Sequence, residues 1–331
     1  MKGPTILYFS EQGARLGAML AEKLRCKAEK PSEGGLFALT EKLFHEADAL
    51  IFIGACGIAV RAIAPLLVSK TSDPAVVVLD DQGRHVISLL SGHIGGANAL
   101  ARRIAGYTGG EAVITTATDV NGRFSADAWA VQHGCVIDSA DNAKAYAAAI
   151  LKRDLPLISD FDIRGSLPGG VFPGSEGKCG AAISVRTDAA PFETTLRLIP
   201  RILHIGLGCK RGTPEDTVSF AILHVLSKNG IDRRAVKEIV SIDIKSDEEG
   251  ILGYCRTNRL PVRFFSAQEL KETKGEFSHS DYVCRTVGVG NVCERAAVLS
   301  AGENAELIVR KTILEGVTLA IAQEKWSVSF E

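Results

Sequence analysis

Short apolar runs alternate with amphipathic stretches along most of this chain. Ile6–Phe9 and Ala49–Ile53 are apolar runs of strand length, and the second has no polar position, the pattern of a strand buried on both faces. Ala14–Leu24 and Ile58–Leu67 carry helical spacing, the latter until Pro65 stops it. Ala75–Leu79 and His85–Leu89 predict two strands about the turn Asp80-Asp81-Gln82-Gly83. Ala97, Leu100, Ala101 and Ile104 then recur at i, i+3, i+4 and i+7 and predict a helix. Val113–Thr115 predicts a short strand that runs into a polar loop. Alternation of this kind predicts a largely parallel sheet with helices on both faces.

The middle of the chain is weaker in pattern. Val136–Asp138 and Leu157–Ser159 predict strands around a helix over Ala143–Leu151. The Gly/Pro-rich stretch 164–177 predicts a loop, and Ala182–Val185 and Leu196–Ile199 predict strands beyond it. Past Pro200 the alternation restarts. Ile202–Leu207 predicts a strand, with Thr213 as N-cap and Pro214 as first residue of a helix that buries Val218, Ala221, Ile222, Val225 and Leu226. Ile239–Ile242 and Val262–Phe265 predict strands, Glu248–Cys255 and Val292–Leu299 helices, and the region near Ile313–Ala320 a hairpin. The expected fold class is α/β: two α/β domains with mainly parallel sheets, at 1–130 and 201–331, joined by a smaller central region at 131–200.

Composition narrows the function classes. The chain has 331 residues, 46% hydrophobic and 23% charged, an ordinary globular balance that excludes a disordered chain. Lys plus Arg number 38 and Asp plus Glu 39, so no global basic field exists for nucleic acid. No apolar run reaches the ~18–20 residues of a membrane span, and the N-terminus lacks the pattern of a signal peptide. Eight Cys are spread singly with no C-x-x-C pair, which suits a reduced, cytoplasmic protein rather than a disulfide framework or a zinc site. The seven His are scattered without metal-ligand spacing, so no protein-bound metal is expected.

Polar and glycine residues gather at the strand-to-helix junctions. Gly54-Ala55-Cys56-Gly57, followed by Arg61, lets a ligand approach the backbone, and serves equally as a tight turn. Ser91-Gly92-His93-Ile94-Gly95-Gly96-Ala97-Asn98 sets one imidazole among small residues, where it could act as acid or base or could cap the helix. Thr115-Thr116-Ala117-Thr118-Asp119 is a dense hydrogen-bonding loop at a strand's carboxyl end, where open α/β sheets place ligands. Lys70 is a candidate cation for a carboxylate, although a solvated surface lysine is the more common case for any single Lys. In the second half, Gly208-Cys209-Lys210-Arg211-Gly212 resembles a phosphate cradle but matches neither nucleotide fingerprint. Loops at Lys245 and at Gly290-Asn291 repeat the theme, either for one extended polyanion or as ordinary turns. No G-x-S-x-G elbow is present.

These stretches resemble the CbiG family, the cobalt-precorrin-5A hydrolases of anaerobic cobalamin biosynthesis. In the first half the resemblance is carried by Ile51–Ala55, Gly57–Arg61, Lys70 with Asp73-Pro74-Ala75-Val76, Ile87–His93, Gly95–Asn98 and Ile114–Asp119. In the second half it is carried by Gly206–Gly212, Asp243–Glu248, Phe265-Ser266-Ala267 with Glu269-Leu270, and Gly288-Val289-Gly290. The stretches occur in the family's order, and Cys56, where the family has Thr, departs from it. The resemblance implies hydrolysis of the δ-lactone of cobalt-precorrin-5A, with release of acetaldehyde to give cobalt-precorrin-5B. It implies no cofactor, because the cobalt is carried by the substrate. The expected partner is a tetrapyrrole with many carboxylates, with no nucleic acid and no membrane. A homodimer or a transient contact with neighbouring pathway enzymes is a further expectation. Expected catalytic residues are His93 or Asp119 as general base, with Thr115, Thr116 or the Gly95-Gly96 N–H groups stabilising the oxyanion. Expected substrate-binding residues are Arg61, Lys70, Asp73, Gly92, Gly95, Gly96 and Asn98 in the first half, and Gly208, Lys210, Arg211, Lys245 and Asn291 in the second. The competing expectation is a non-catalytic carrier of corrinoid intermediates.

Overall fold

The structure, a computed structural model, describes residues 3–32, 34–69 and 72–330. The chain divides into two compact units at Val131/Gln132. The first runs β1 (Pro4–Tyr8), α1 (Glu11–Leu24), β2 (Lys27–Glu29), α2 (Leu36–Glu46), β3 (Ala49–Ile53), α3 (Cys56–Ile63), β4 (Ala75–Leu79), β5 (His85–Leu90), α4 (Ala97–Thr108), β6 (Glu111–Val113), α5 (Ala117–Val120) and α6 (Ala126–Gln132). Its six strands form one sheet in the order β2-β1-β3-β4-β5-β6. All five residues of β3 and of β4 are buried, so both sheet faces must be covered. Alternate residues serve alternate faces. Ile6, Ile51 and Val77 pack with Leu20 of α1 and Ile104 of α4, while Leu7, Leu50 and Val76 pack with Phe44 of α2 and Ile63 of α3.

The sheet is mainly parallel, as expected, with one exception. β1 to β4 are parallel, but β5 pairs with β4 antiparallel and β6 lies parallel to β5. The cause is the tight turn between β4 and β5. The Asp80 carboxylate accepts the N–H groups of Gln82 (2.8 Å) and His85 (2.7 Å), and Gly83 takes φ 68°. The carboxyl ends of β5 and β6 therefore lie at the edge where β3 and β4 begin.

The second unit runs β7 (Cys135–Ile137), α7 (Ala140–Ile150), β8 (Leu155–Ser159), β9 (Ile163–Arg164), β10 (Val171–Pro173), β11 (Cys179–Ile183), β12 (Thr194–Pro200), β13 (Leu203–Gly208), α8 (Glu215–Lys228), β14 (Val236–Ile242), α9 (Glu249–Asn258), β15 (Val262–Phe265), α10 (Ala267–Glu272), α11 (Asp281–Val287), α12 (Cys293–Ala301), β16 (Glu306–Leu314), β17 (Val317–Gln323) and β18 (Val328–Ser329). Strands β10-β8-β11-β12-β7 form one sheet, parallel except for β7. Strands β15-β14-β13-β17-β16 form another, with β13, β14 and β15 parallel and β16–β17 an antiparallel hairpin.

Several boundaries differ from expectation. The Gly/Pro stretch is not all loop, since it holds β10, paired with β8. Pro214 is the N-cap of α8, which starts at Glu215, and the Thr213 hydroxyl instead donates to the Lys210 carbonyl at 2.7 Å. β6 sits two residues before the predicted Val113–Thr115, leaving Thr115 in the loop. Among the described residues, no helix is long and apolar enough to cross a membrane.

Candidate functional site

In the first unit, β5 ends opposite the start of β4, where Leu90 pairs with Val76. The loop Ser91–Gly96 turns there into α4. Ser91 takes φ 54° and its hydroxyl donates to the Asp73 carbonyl at 3.0 Å. Gly92 and Gly95 are needed by packing. A Cβ on Gly92 would lie 2.6 Å from Asn98 Oδ1, and one on Gly95 would lie 2.4 Å from Ser91 Cβ. This tight loop presents His93. β6 ends at the same edge and delivers Thr116, Thr118 and Asp119 to it.

His93 lies between two carboxylates. Its Nε2 is 2.8 Å from Asp119 and its Nδ1 is 3.1 Å from Asp127, with the imidazole 15% exposed. A carboxylate facing a ring nitrogen favours a proton on that nitrogen, so two of them favour the doubly protonated imidazole. The bond to Asp127 does most to raise the His93 pKa above its ordinary value. Burial opposes this, and Asp119 adds to the rise. Burial would raise the Asp127 carboxyl, but His93, the Ser125 hydroxyl and the Ala128 N–H together hold it at about 2. Asp119 is likewise held low against burial by Arg102, His93 and Thr116. Asn98 is buried and orders the cluster: its amide donates to Thr116 Oγ1 (2.8 Å) and Asp119 Oδ2 (3.0 Å), and it accepts from the Ser88 hydroxyl (2.6 Å).

The site thus gathers His93, Asp119, Thr116 and Asn98 as expected and corrects several expectations. The two carboxylates raise the His93 pKa, which suits it to give a proton to a substrate and to take one back afterwards. The Gly96 N–H is bonded to the His93 carbonyl at 3.0 Å, so it is not available to an oxyanion. Thr115 is exposed in the loop. The buried Asp73 carboxylate closes its own loop by accepting from Val68 and Ser69 N–H (both 3.1 Å). Arg61 is exposed on α3 beside its own helix's Gly57 carbonyl (3.4 Å). The helix α3 begins at the carboxyl end of β3, the sheet edge opposite to the one that carries His93. Lys70 lies outside the described residues.

Two participants were missed in the sequence. Asp127 stands in the first turn of α6 behind Ser125, and Arg102 stands four residues after Asn98 on one face of α4, where it pairs with Asp119. The i, i+4 spacing of Asn98 and Arg102 was the available signal for Arg102. For Asp127 the only hint was a Ser-x-Asp helix start, which is common.

In the second unit, Gly208 ends β13 with Lys210 and Arg211 just after it, and Lys245 follows β14. With Asn291 they line one pocket of about 560 Å³ at the carboxyl ends of these parallel strands. Their charges are unequally free. Arg211 pairs with Asp247 (2.9 Å) and Lys245 with Glu248 (2.9 Å), whereas Lys210 is exposed. Asn291 is structural: its amide donates to Ser278 Oγ (2.6 Å) and Glu294 (3.0 Å), and its Oδ1 accepts the Glu294 N–H (2.8 Å) at the start of α12. The Gly-rich loop is not an open phosphate cradle, because the Glu248 carboxylate already accepts the Gly212 N–H at 2.6 Å.

An α/β protein with an imidazole set between carboxylates in one unit carries groups for acid–base chemistry, and the cation-rimmed pocket of its other unit is suited to an anionic small molecule. Residues 38–119 match a family model described as cobalamin synthesis G N-terminal, and residues 203–322 one described as cobalamin synthesis G C-terminus. The chain is 38% identical to cobalt-precorrin-5A hydrolase of Salmonella typhimurium, over 93% of this chain and 92% of that one. It is 33% identical to cobalt-precorrin-5A hydrolase of Priestia megaterium, over 87% and 82%. A crystal structure of a cobalamin biosynthesis protein G homolog from Sulfolobus solfataricus aligns over 97% of each chain, with 24% identity and a TM-score of 0.42. The chain belongs to the CbiG family, as the residue stretches suggested.

Proposed function

We propose that this protein is a cobalt-precorrin-5A hydrolase, which opens the δ-lactone of its substrate and releases acetaldehyde to leave cobalt-precorrin-5B. The observation that carries the reading is 38% identity over 93% of the chain to an enzyme of that name. The His93 cluster supplies groups suited to such a reaction. Water adds to the lactone carbonyl carbon while its proton passes to a carboxylate of the cluster. His93 gives its proton to the ring oxygen as the C–O bond breaks. The products of this step are a carboxylic acid, an alcohol and a neutral imidazole. That imidazole then takes the alcohol proton as the carbon–carbon bond breaks. Acetaldehyde leaves, the electron pair stays on the macrocycle, and the protonated carboxylate returns its proton to that carbon. The cluster ends as it began. Cobalt arrives and departs with the substrate, and the protein works in the cytoplasm with no cofactor of its own.

The test is anaerobic incubation with cobalt-precorrin-5A, with acetaldehyde and the mass of the opened product followed. Turnover is expected, and His93→Ala should lower it by about 10²–10⁴-fold, the usual worth of one acid–base group. Binding without product above the uncatalysed rate would make the protein a carrier instead.

A further inference from the structure

We propose that the second unit's pocket is a binding site for a carboxylate-fringed macrocycle, whose ring face rests on Ile244, Tyr282 and Ile313 and whose carboxylates meet Lys210 and Lys311. The ligand class rests on the functional reading above; the site and its contacts rest on the pocket itself. Single exposed apolar residues are ordinary on a protein surface. Here three converge from separate elements. Ile244 is 50% exposed in the turn after β14, Tyr282 is 74% exposed on α11, and Ile313 is 66% exposed at the end of β16, and all three line one pocket. Ile242, Val283 and Val287 continue the apolar lining. Its volume of about 560 Å³ falls within the range of roughly 300–1,000 Å³ typical of organic-ligand sites.

The rim charges define the ligand further. Arg211 and Lys245 are neutralised by Asp247 and Glu248. Lys210 and Lys311 line the same pocket and have no carboxylate partner among the described residues. The backbone position that would serve a nucleotide phosphate, the Gly212 N–H, is filled by Glu248, whose negative charge repels a phosphate. What remains is an apolar wall with separated cations. That arrangement fits an apolar ring carrying carboxylates at its edge, and it fits neither a nucleotide nor a lone small anion.

The test uses the full-length protein and a stable probe, dicyanocobyrinic acid, a cobalt corrin with free carboxylates, titrated by quenching of intrinsic fluorescence. Two variants are compared with wild type, Tyr282→Asp with Ile313→Asp, and Lys210→Glu with Lys311→Glu. The first pair changes exposed positions, and thermal melts check that both variants fold. Each should weaken binding at least tenfold. The uncharged heptamethyl ester should bind wild type more weakly than the free acid, and ATP should not displace the probe. Wild-type affinity in both variants, or displacement by ATP, overturns the proposal. Acetaldehyde release by wild type separates the two readings. Turnover together with unaltered probe binding in the variants sinks the pocket and leaves the function standing. Loss of probe binding in the variants, with no turnover by wild type, sinks the function and leaves the pocket standing.

Discussion

At the residue scale, the informative group is His93, because its neighbours set its chemistry. Asp127 contributes most to its raised pKa. The proposed reaction needs the protonated imidazole first, so activity should fall as pH rises through that raised pKa. Asp127→Asn removes the largest raising influence, and the alkaline limb of the kcat/KM profile should move to lower pH. An unmoved limb with unaltered rates would show that Asp127 does not govern His93. Asp119→Asn should cost more than Asp127→Asn, because Asp119 also bonds Asn98 and Arg102. Comparing the two kcat values checks this ordering.

Elements pack as tightly as they do because small residues stand where backbones meet. The clearest case is Gly206 in β13, where a Cβ would lie 1.9 Å from the Cys293 carbonyl oxygen of α12. The clash is with backbone, so no rotamer relieves it. Gly206→Ala should destabilise the protein by about 1–3 kcal/mol or more, the cost of overpacking a closed contact, read as a lower denaturant midpoint. Gly92→Ala acts differently, since its Cβ meets the Asn98 side chain at 2.6 Å. Displacing Asn98 breaks its bonds to Thr116 and Asp119, so activity should drop by more than stability does when turnover and melting are measured together.

On the scale of the whole molecule, ionic clusters set the pH range of stability. Asp127 in the first unit and Asp232 in the second are both held at about 2. For Asp232, burial acts upward but is outweighed by Arg234 and by Arg197. Arg197 reaches Asp232 from β12 at 3.1 Å, which joins the two large sheets of the second unit. A carboxyl with a lowered folded pKa stabilises above its unfolded value near 4, and that contribution is lost as pH falls toward 2. Each should contribute about 2 kcal/mol at neutral pH. The raised His93 pKa works in the opposite sense: its contribution is full below about 6.5 and is lost as pH rises through the folded value. Urea midpoints should therefore be highest between about pH 4 and 6.5 and fall steeply below 4. Asp232→Asn should flatten the acid side of that profile.

Much of this was legible from one dimension. Apolar runs located β1, β3, β4, β13 and β14, helical spacing located α1, α4 and α8, and the glycine setting of His93 marked a loop built to present a side chain. Local periodicity reports which face of an element is buried, and that is a short-range property. It is blind to strand direction, because a period of two reads the same both ways. Only the tertiary structure could therefore show that β5 and β6 run against β3 and β4, which carries His93 and Asp119 away from the turn between β3 and α3. The same long-range packing brings Asp127 back to His93 and turns Glu248 into the loop at Gly212. It also gathers Ile244, Tyr282 and Ile313, distant in the chain, into one pocket wall. The sequence by itself determined the elements and the chemical kinds of residue at their junctions. Which of those residues meet, and which way their pKa values move, was decided by strand pairing and burial across the fold.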